Sequence, residues 1–146
     1  MNGRPSVLVA DPDVRGRLWV MDALRTHCQL SIPGPGEEPL RAVRRVHPQA
    51  ILLAVPRGRG AAIHKLCRAI KTDSLHPPLV GIVDQWGRLR NPQQLMDGAL
   101  VDGYLGGRLL PEDVRSFLTA LMANQQPMVT KAPPTGMLRR WMNRKA

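Results

Sequence analysis

The sequence predicts an α/β fold in which a doubly wound sheet of five parallel strands lies between two layers of helices. Three short apolar runs, at 7–10, 50–55 and 79–83, are continuous rather than alternating. Such runs are typical of strands buried on both faces, as in a parallel sheet covered by helices. Segments with helical spacing separate the runs, and this alternation predicts βαβ units in a three-layer α/β/α domain.

The elements follow one another in a regular order along the chain. The predicted strands are 7–10, 28–32, 50–55, 79–83 and 103–105, and the predicted helices are 14–24, 37–46, 61–71, 91–100 and 111–122.

Local signals support the elements of the first half. The first helix carries an apolar stripe at Val14, Leu18 and Met21. The second strand is short and only weakly apolar, and the prolines and glycines at 33–36 end it. The second helix has acidic residues in its first turn and arginines in its last, which the helix dipole favours.

Similar signals support the second half. The third helix carries an apolar face from Ile63 to Ile70, and the prolines at 77–78 break the chain before the fourth strand. The fourth helix is weaker. The closing helix has a well-marked start, because Pro111 lies near its first turn and two acidic residues follow.

The length and composition indicate one folded domain with a tail. The chain has 146 residues, and we expect a domain at 1–123, a polar, proline-rich linker at 124–136 and a basic amphipathic segment at 137–146. No stretch approaches the roughly 20 apolar residues of a membrane span, and no apolar signal region precedes the first strand. We therefore expect a cytoplasmic protein. Cys28 and Cys67 lack the spacing of a disulfide framework or zinc site, so no metal or other cofactor is expected.

The charge of the chain is strongly positive. The formal net charge is +10, which favours anionic partners such as nucleic acid, an acidic protein surface or anionic lipid. The chain has no acidic residue after position 123. Half of the excess charge lies on the five basic residues there: Lys131, Arg139, Arg140, Arg144 and Lys145.

Several motifs, in order and correctly spaced, resemble one known family. The stretch from Gly98 to Leu105 is similar to the glycine-alanine segment that leads into the fifth strand of bacterial response-regulator receiver domains, the CheY-like family. Tyr104 falls where those proteins often carry an aromatic residue that changes rotamer on activation. Residues 78–80 resemble the entry into their fourth strand. The resemblance covers residues 5–122 and implies the flavodoxin-like (βα)5 fold.

The resemblance also identifies positions where this chain departs from a working receiver. The phosphoryl-accepting aspartate is replaced by Ala54, the hydroxyl residue that ends the fourth strand by Val83, and the lysine after the fifth strand by Gly107. Asp11 matches one acid of the usual metal-binding pair. Asp13 either replaces the second acid or caps the first helix.

These replacements together form a degenerate phosphorylation pocket and argue against aspartyl phosphorylation. Asp84 is the only nearby carboxylate that offers a substitute for the acceptor, and we discount it because it lies at the end of a different strand. The resemblance thus implies a pseudo-receiver that is not an enzyme.

The loops after the third, fourth and fifth strands are rich in arginine. These loops lie at the edge of the sheet where parallel folds bind ligands. One interpretation is an anion site, since guanidinium groups suit oxyanions. The other is that the arginines are simply solvated. The residues are Arg57, Arg59, Arg88, Arg90 and Arg108.

The C-terminal segment provides a second functional signal. Its apolar residues have helical spacing, with basic residues opposite. Such a segment docks in a partner groove, on nucleic acid or on an anionic membrane, or it packs back on the domain. The candidate contact residues are Met137, Leu138, Arg139, Arg140 and Trp141.

We therefore expect a phosphorylation-independent interaction module in signalling or regulation. The resemblance implies a contact face on the fourth helix, fifth strand and fifth helix, including Tyr104 and Leu105. The positive charge of the chain favours a protein partner with an acidic surface. The alternatives are a nucleic-acid-associated protein on the same scaffold and a working phosphoacceptor. A homodimer is also compatible with the sequence.

Overall fold

The computed structural model describes residues 3–56 and 60–131. Six strands alternate with five helices in the order β1 Ser6–Ala10, α1 Val14–Leu24, β2 Gln29–Ser31, α2 Pro39–Val46, β3 Ala50–Leu53, α3 Gly60–Thr72, β4 Leu79–Gln85, α4 Pro92–Asp97, β5 Gly103–Gly107, α5 Pro111–Met122 and β6 Met128–Lys131.

The strands form one parallel sheet in the order β2-β1-β3-β4-β5-β6. The predicted doubly wound α/β architecture is confirmed. The predicted number of five strands is wrong, because β6 adds a sixth strand beside β5.

The sheet is covered on both faces, as the continuous apolar runs predict. One core cluster contains buried residues of α2, α3 and α4, and the other contains buried residues of α1 and α5. All four residues of β3 are buried. Helix α5 approaches the sheet closely because Gly81 and Gly103 carry no Cβ atom, and a Cβ at either position would press against Phe117 and Leu121.

Strand β6 lies in the segment predicted as a linker. Immediately before this strand, the Pro127 carbonyl accepts a hydrogen bond from the Tyr104 N–H at 2.8 Å. At the other end, Lys131 pairs in register with Gly107, and its Nζ lies 3.3 Å from Asp113 Oδ1. The folded domain therefore extends at least to Lys131. The predicted basic segment at 137–146 lies outside the described residues.

Two helix boundaries differ clearly from the prediction. Helix α2 begins at Pro39 rather than at 37, and α4 ends at Asp97 rather than at 100. Glu37 lies before α2 and binds the loop instead, accepting from the Gly34 N–H at 2.9 Å. Cys28 and Cys67 are buried free thiols.

No helix in the described part of the chain is both long and apolar enough to cross a bilayer.

Candidate functional site

Four of the five residues predicted to form the degenerate pocket lie together at the carboxyl ends of β1, β3 and β4. Asp11, Asp13, Ala54 and Val83 line one cavity of about 320 Å³, together with Arg88. We call it the Ala54 cavity. The parallel register of these strands brings their ends to the same edge of the sheet.

The fifth predicted pocket residue, Gly107, lies apart from this cavity. It lines a neighbouring hollow with Trp19, Trp86 and Arg108. Its φ of 107° is a conformation that glycine adopts readily, and a Cβ there would overlap the Lys131 carbonyl of β6. Glycine is therefore needed at position 107 because strand β6 approaches the backbone closely there.

Asp11 is the residual acid of the cavity. Its Oδ1 accepts a hydrogen bond from the Asp13 N–H at 2.9 Å. Burial raises the pKa of Asp11, against the lowering effect of that hydrogen bond and of Arg17 and Arg88. Gly16 leaves room for the carboxylate, since a Cβ at this position would overlap Asp11 Oδ2.

Asp13 caps helix α1. It has extended backbone geometry, and its Oδ1 accepts from the Arg15 N–H at 3.2 Å. Of the two roles that the sequence leaves open, the structure shows the capping role. Asp13 is also exposed.

The floor of the Ala54 cavity is apolar. Ala54 follows β3 and is half-buried, with its N–H donating to the Ala10 carbonyl at 3.3 Å. Val83 in β4 is buried. A methyl group and a valine side chain offer neither a nucleophile nor a hydroxyl to this part of the cavity.

A buried polar network joins β4 and β5 beside this cavity. Asp84 is 1 % exposed, and its carboxylate accepts hydrogen bonds from the Tyr104 hydroxyl at 2.7 Å and from two loop N–H groups. The loop donors are Arg88 N at 2.9 Å and Leu89 N at 2.8 Å. Three donors satisfy the buried carboxylate. Asp84 does not line the Ala54 cavity.

Tyr104 is held inside the fold by this network. It is 2 % exposed, and Leu105 is 1 % exposed. Desolvation and the hydrogen bond to Asp84 raise the pKa of Tyr104. Gly106 is required for this position of the ring, because a Cβ there would overlap the Tyr104 hydroxyl and ring. The expectation that Tyr104 and Leu105 contact a partner directly is wrong for this structure, since both side chains are buried.

The predicted arginine cluster is only partly brought together. Arg88 lines the Ala54 cavity and its Nη1 donates to the Val55 carbonyl at 3.4 Å. Arg108 lies over the Trp86 ring, with Cζ 5.4 Å from the ring centroid. Arg90 lines neither cavity. Arg57 and Arg59, like the predicted contact residues Met137, Leu138, Arg139, Arg140 and Trp141, lie outside the described residues.

Trp86 is a surface feature that sequence reasoning missed. Its side chain is 62 % exposed, and it lies in a turn closed by a hydrogen bond from the Gly87 N–H to the Asp84 carbonyl at 3.1 Å. Its φ is 77°, in the left-handed region that a bulky residue rarely adopts. An available signal was a tryptophan followed by glycine in a predicted loop of a chain with few aromatic residues.

Within residues 3–56 and 60–131, no group of three or more His, Cys, Asp or Glu side chains has an arrangement that would hold a metal ion.

Comparisons with known proteins bear on the fold. No protein-family model matches the chain, and no curated protein matches its sequence. Among solved structures, the chain is similar to the NMR structure of the pseudo-receiver domain of the CikA protein, with 20 % sequence identity and a TM-score of 0.55. The match covers 80 % of this chain and 96 % of that chain. The chain therefore has a flavodoxin-like, receiver-like fold.

Proposed function

We propose that this protein is a phosphorylation-independent pseudo-receiver that acts by binding another protein in signalling or regulation. The observation that carries the proposal is the composition of the Ala54 cavity. The cavity lies at the carboxyl ends of the strands and is lined by Asp11, Ala54 and Val83; by the resemblance to receivers we take Ala54 as the acceptor position and Val83 as the hydroxyl position. A domain without a nucleophile there signals through its surface rather than through an acyl phosphate.

The remaining acids of the cavity do not restore the chemistry. Mg²⁺ prefers near-octahedral coordination by oxygen, including one or two carboxylates. Asp13 caps α1 and Asp11 accepts the Asp13 N–H. The Asp84 carboxylate already accepts hydrogen bonds from Tyr104 and from the loop after β4. We therefore infer that the protein is not an enzyme and needs no phosphoryl donor.

We infer that the contact face is the exposed surface around Trp86. We define the Trp86 patch as Trp19, Trp86, Arg108 and Leu109, which line one hollow. Tryptophan and arginine dominate the binding energy of many protein interfaces. A strained, exposed tryptophan is a feature that stability alone does not favour. The positive charge of Arg108, and of Arg88 beside the patch, favours a partner with an acidic surface.

The basic C-terminal segment would add a second contact to the same partner. Two linked contacts raise avidity without requiring either to be tight. A chain that ends at Lys131 retains β6 and isolates this contribution, whereas a chain that ends at Met122 would also remove a strand from the sheet.

The absence of phosphorylation is tested by incubating the full chain with acetyl phosphate or beryllofluoride and Mg²⁺. We expect no mass adduct and no Mg²⁺-dependent change in the NMR spectrum, with an intact receiver domain as the positive control. A stoichiometric adduct would contradict the proposal.

The contact face is tested by comparing proteins retained from the source cell by immobilised variants. Trp86→Ala should lose a specific partner that the unmodified chain retains. Leu75→Ala should retain it, because Leu75 is 94 % exposed but precedes β4 at the other end of the sheet. Equal retention by both variants would remove the Trp86 patch from the proposal.

Trp86→Gly separates binding from stability. Glycine adopts the positive φ without strain, so we expect the free energy of unfolding to rise by about 1 kcal/mol while partner binding is lost. Chemical denaturation measures the first effect. Loss of both stability and binding would indicate that the tryptophan serves folding instead.

The net charge of +10 favours one rival function, nucleic-acid binding. That function predicts an affinity for DNA or RNA that falls steeply with salt, because bound phosphates release counterions. Tight, salt-dependent binding that survives Trp86→Ala would favour the rival.

A further inference from the structure

A second cavity lies beside the Ala54 cavity, at the carboxyl ends of β1 and β3 and between the loop after β2 and helix α3. Its volume is about 500 Å³, within the range of small-molecule sites. The lining is mainly apolar and rich in proline: Ala10, Pro12, Ile32, Pro33, Pro35, Pro39, Leu53, Ala54, Pro56, Ala62, Ile63 and Leu66. We call it the β1–β3 cavity.

Arg17 is the cationic residue of the β1–β3 cavity. Its Nε atom is buried and has no hydrogen-bond partner among the described residues. A buried donor of this kind is costly unless an acceptor meets it. Apart from Arg17, Asp11 and Glu37 the lining residues are apolar or glycine, so an acceptor for the Arg17 guanidinium is best supplied by a ligand that carries it into the cavity.

The acidic residues of the cavity are already engaged. Asp11 Oδ1 accepts the Asp13 N–H, and its raised pKa, caused mainly by burial, lowers the cost of protonating it beside an incoming anion. Glu37 forms a two-pronged pair with Arg45, at 2.9 Å to Nε and 2.7 Å to Nη2. Neither carboxylate is the acceptor that Arg17 Nε lacks.

The wall formed by the loop after β2 is held in place before any ligand binds. The Glu37 carboxylate accepts the Gly34 N–H at 2.9 Å, and Arg45 Nη2 donates to the Ile32 carbonyl at 3.3 Å. The prolines further restrict this loop. A preformed wall reduces the ordering cost of binding.

Ala54 lines both cavities. An aspartate at this position would place a negative charge at their shared boundary. Alanine at this position therefore provides no phosphoryl acceptor in the Ala54 cavity and adds no negative charge to the β1–β3 cavity.

We propose that the β1–β3 cavity binds a small monocarboxylic acid with an apolar body, whose carboxylate pairs with the Arg17 guanidinium. The cation favours a carboxylate over a neutral acceptor, and the apolar walls take up the body of the ligand. This site is independent of the Trp86 patch, and it would give the domain a small-molecule input in place of phosphorylation.

Binding is tested on the full chain by calorimetry and NMR titration with octanoate, octanol and octylammonium. These probes share a chain length and differ in head-group charge. We expect saturable binding of octanoate, with shifts at Ile63 and Leu66, and binding of octanol and octylammonium at least about tenfold weaker. Equal affinities for octanoate and octanol, or no saturable binding of octanoate, would overturn the proposal.

Two substitutions test the assigned contacts. Arg17→Met should weaken octanoate at least about tenfold and leave octanol unchanged. Ala54→Asp should weaken octanoate by charge repulsion, and the matched Ala54→Asn should weaken it less because it adds similar volume without charge. Amide NMR spectra establish that each variant is folded. Unchanged octanoate affinity in folded Arg17→Met, or in folded Ala54→Asp, would overturn the proposal.

Discussion

The carboxylates of Asp11 and Asp84, near the carboxyl ends of β1 and β4, have opposite environments. Asp11 follows β1, is half-buried, and accepts one local backbone hydrogen bond. Asp84 lies in β4, is fully buried, and accepts bonds from Tyr104 and two loop N–H groups. Burial raises the pKa of Asp11, which means that its environment is a poor one for a charge.

The difference shows where polar groups stabilise this domain. The acid that would serve phosphoryl chemistry is weakly supported, whereas the acid that holds Tyr104 inside is completely satisfied. A buried carboxylate with three donors is structural, because removal of it would leave all three donors without a partner. The region around Ala54 contains two cavities, whereas the Asp84 side chain is held by its hydrogen bonds.

The largest expected effect is that of Asp84→Ala. The buried Tyr104 hydroxyl and two partly buried loop N–H groups would lose their acceptor, so we expect the free energy of unfolding to fall by about 3 kcal/mol, as measured by urea denaturation. Tyr104→Phe removes one of the three bonds and should cost about 1 kcal/mol. If Asp11→Ala destabilised the protein as much as Asp84→Ala, the contrast between the two acids would be lost.

A smaller effect is expected for Gly106→Ala. The added methyl group overlaps the Tyr104 hydroxyl and ring, so the ring must move out, at a cost of about 2 kcal/mol. Stability should recover in part when Tyr104→Ala is combined with it, because neighbouring residues are coupled. Gly3→Ala is the matched control, since the space around Gly3 is open. Simple additivity of the two substitutions would contradict the steric explanation.

The two acids after β1 should also differ from each other. Asp13→Ala removes the cap of α1 and should lower the free energy of unfolding by about 1 kcal/mol. Asp11→Asn should cost less than about 0.5 kcal/mol, because an amide oxygen still accepts the Asp13 N–H and no charge is buried. Denaturant titrations at neutral pH measure both. A larger loss for Asp11→Asn would identify Asp11 as the structural acid.

The smallest effect concerns the pH dependence of the loop after β2. The hydrogen bonds from Arg45 and from the Gly34 N–H lower the pKa of Glu37 from 4.5 to about 2. Since the pKa is lower in the folded state, the stabilisation is complete above about pH 4.5 and is lost as the pH falls towards about 2. The stability difference between the unmodified chain and Glu37→Gln should shrink over this window. A constant difference in acid titrations would contradict the assignment.

The sequence was sufficient for the architecture and for part of the site. Continuous apolar runs predicted the strands, because burial on both faces leaves little room for polar residues. The order of the strands then brought Asp11, Ala54 and Val83 to one cavity. The choice between the two roles of Asp13 required coordinates, because capping depends on the backbone geometry of the residue.

Features that depend on contacts between distant segments could not be predicted. Strand β6 is short, lies at the edge of the sheet and alternates exposed with half-buried residues, so it has no continuous apolar run. The burial of Tyr104 depends on the absence of a side chain at Gly106 and on Asp84 in another strand. The positive φ of Trp86 follows from the turn after β4.

Strand β6 also determines where the basic tail leaves the domain. Because β6 runs parallel to β5, Lys131 lies at the carboxyl end of the sheet, anchored to Asp113 in the first turn of α5. Any molecule held by the residues that follow starts from the same end of the sheet as Trp86 and both cavities. Without β6, the described chain would end at Met122, at the carboxyl end of α5 and therefore at the opposite end of the sheet from Trp86.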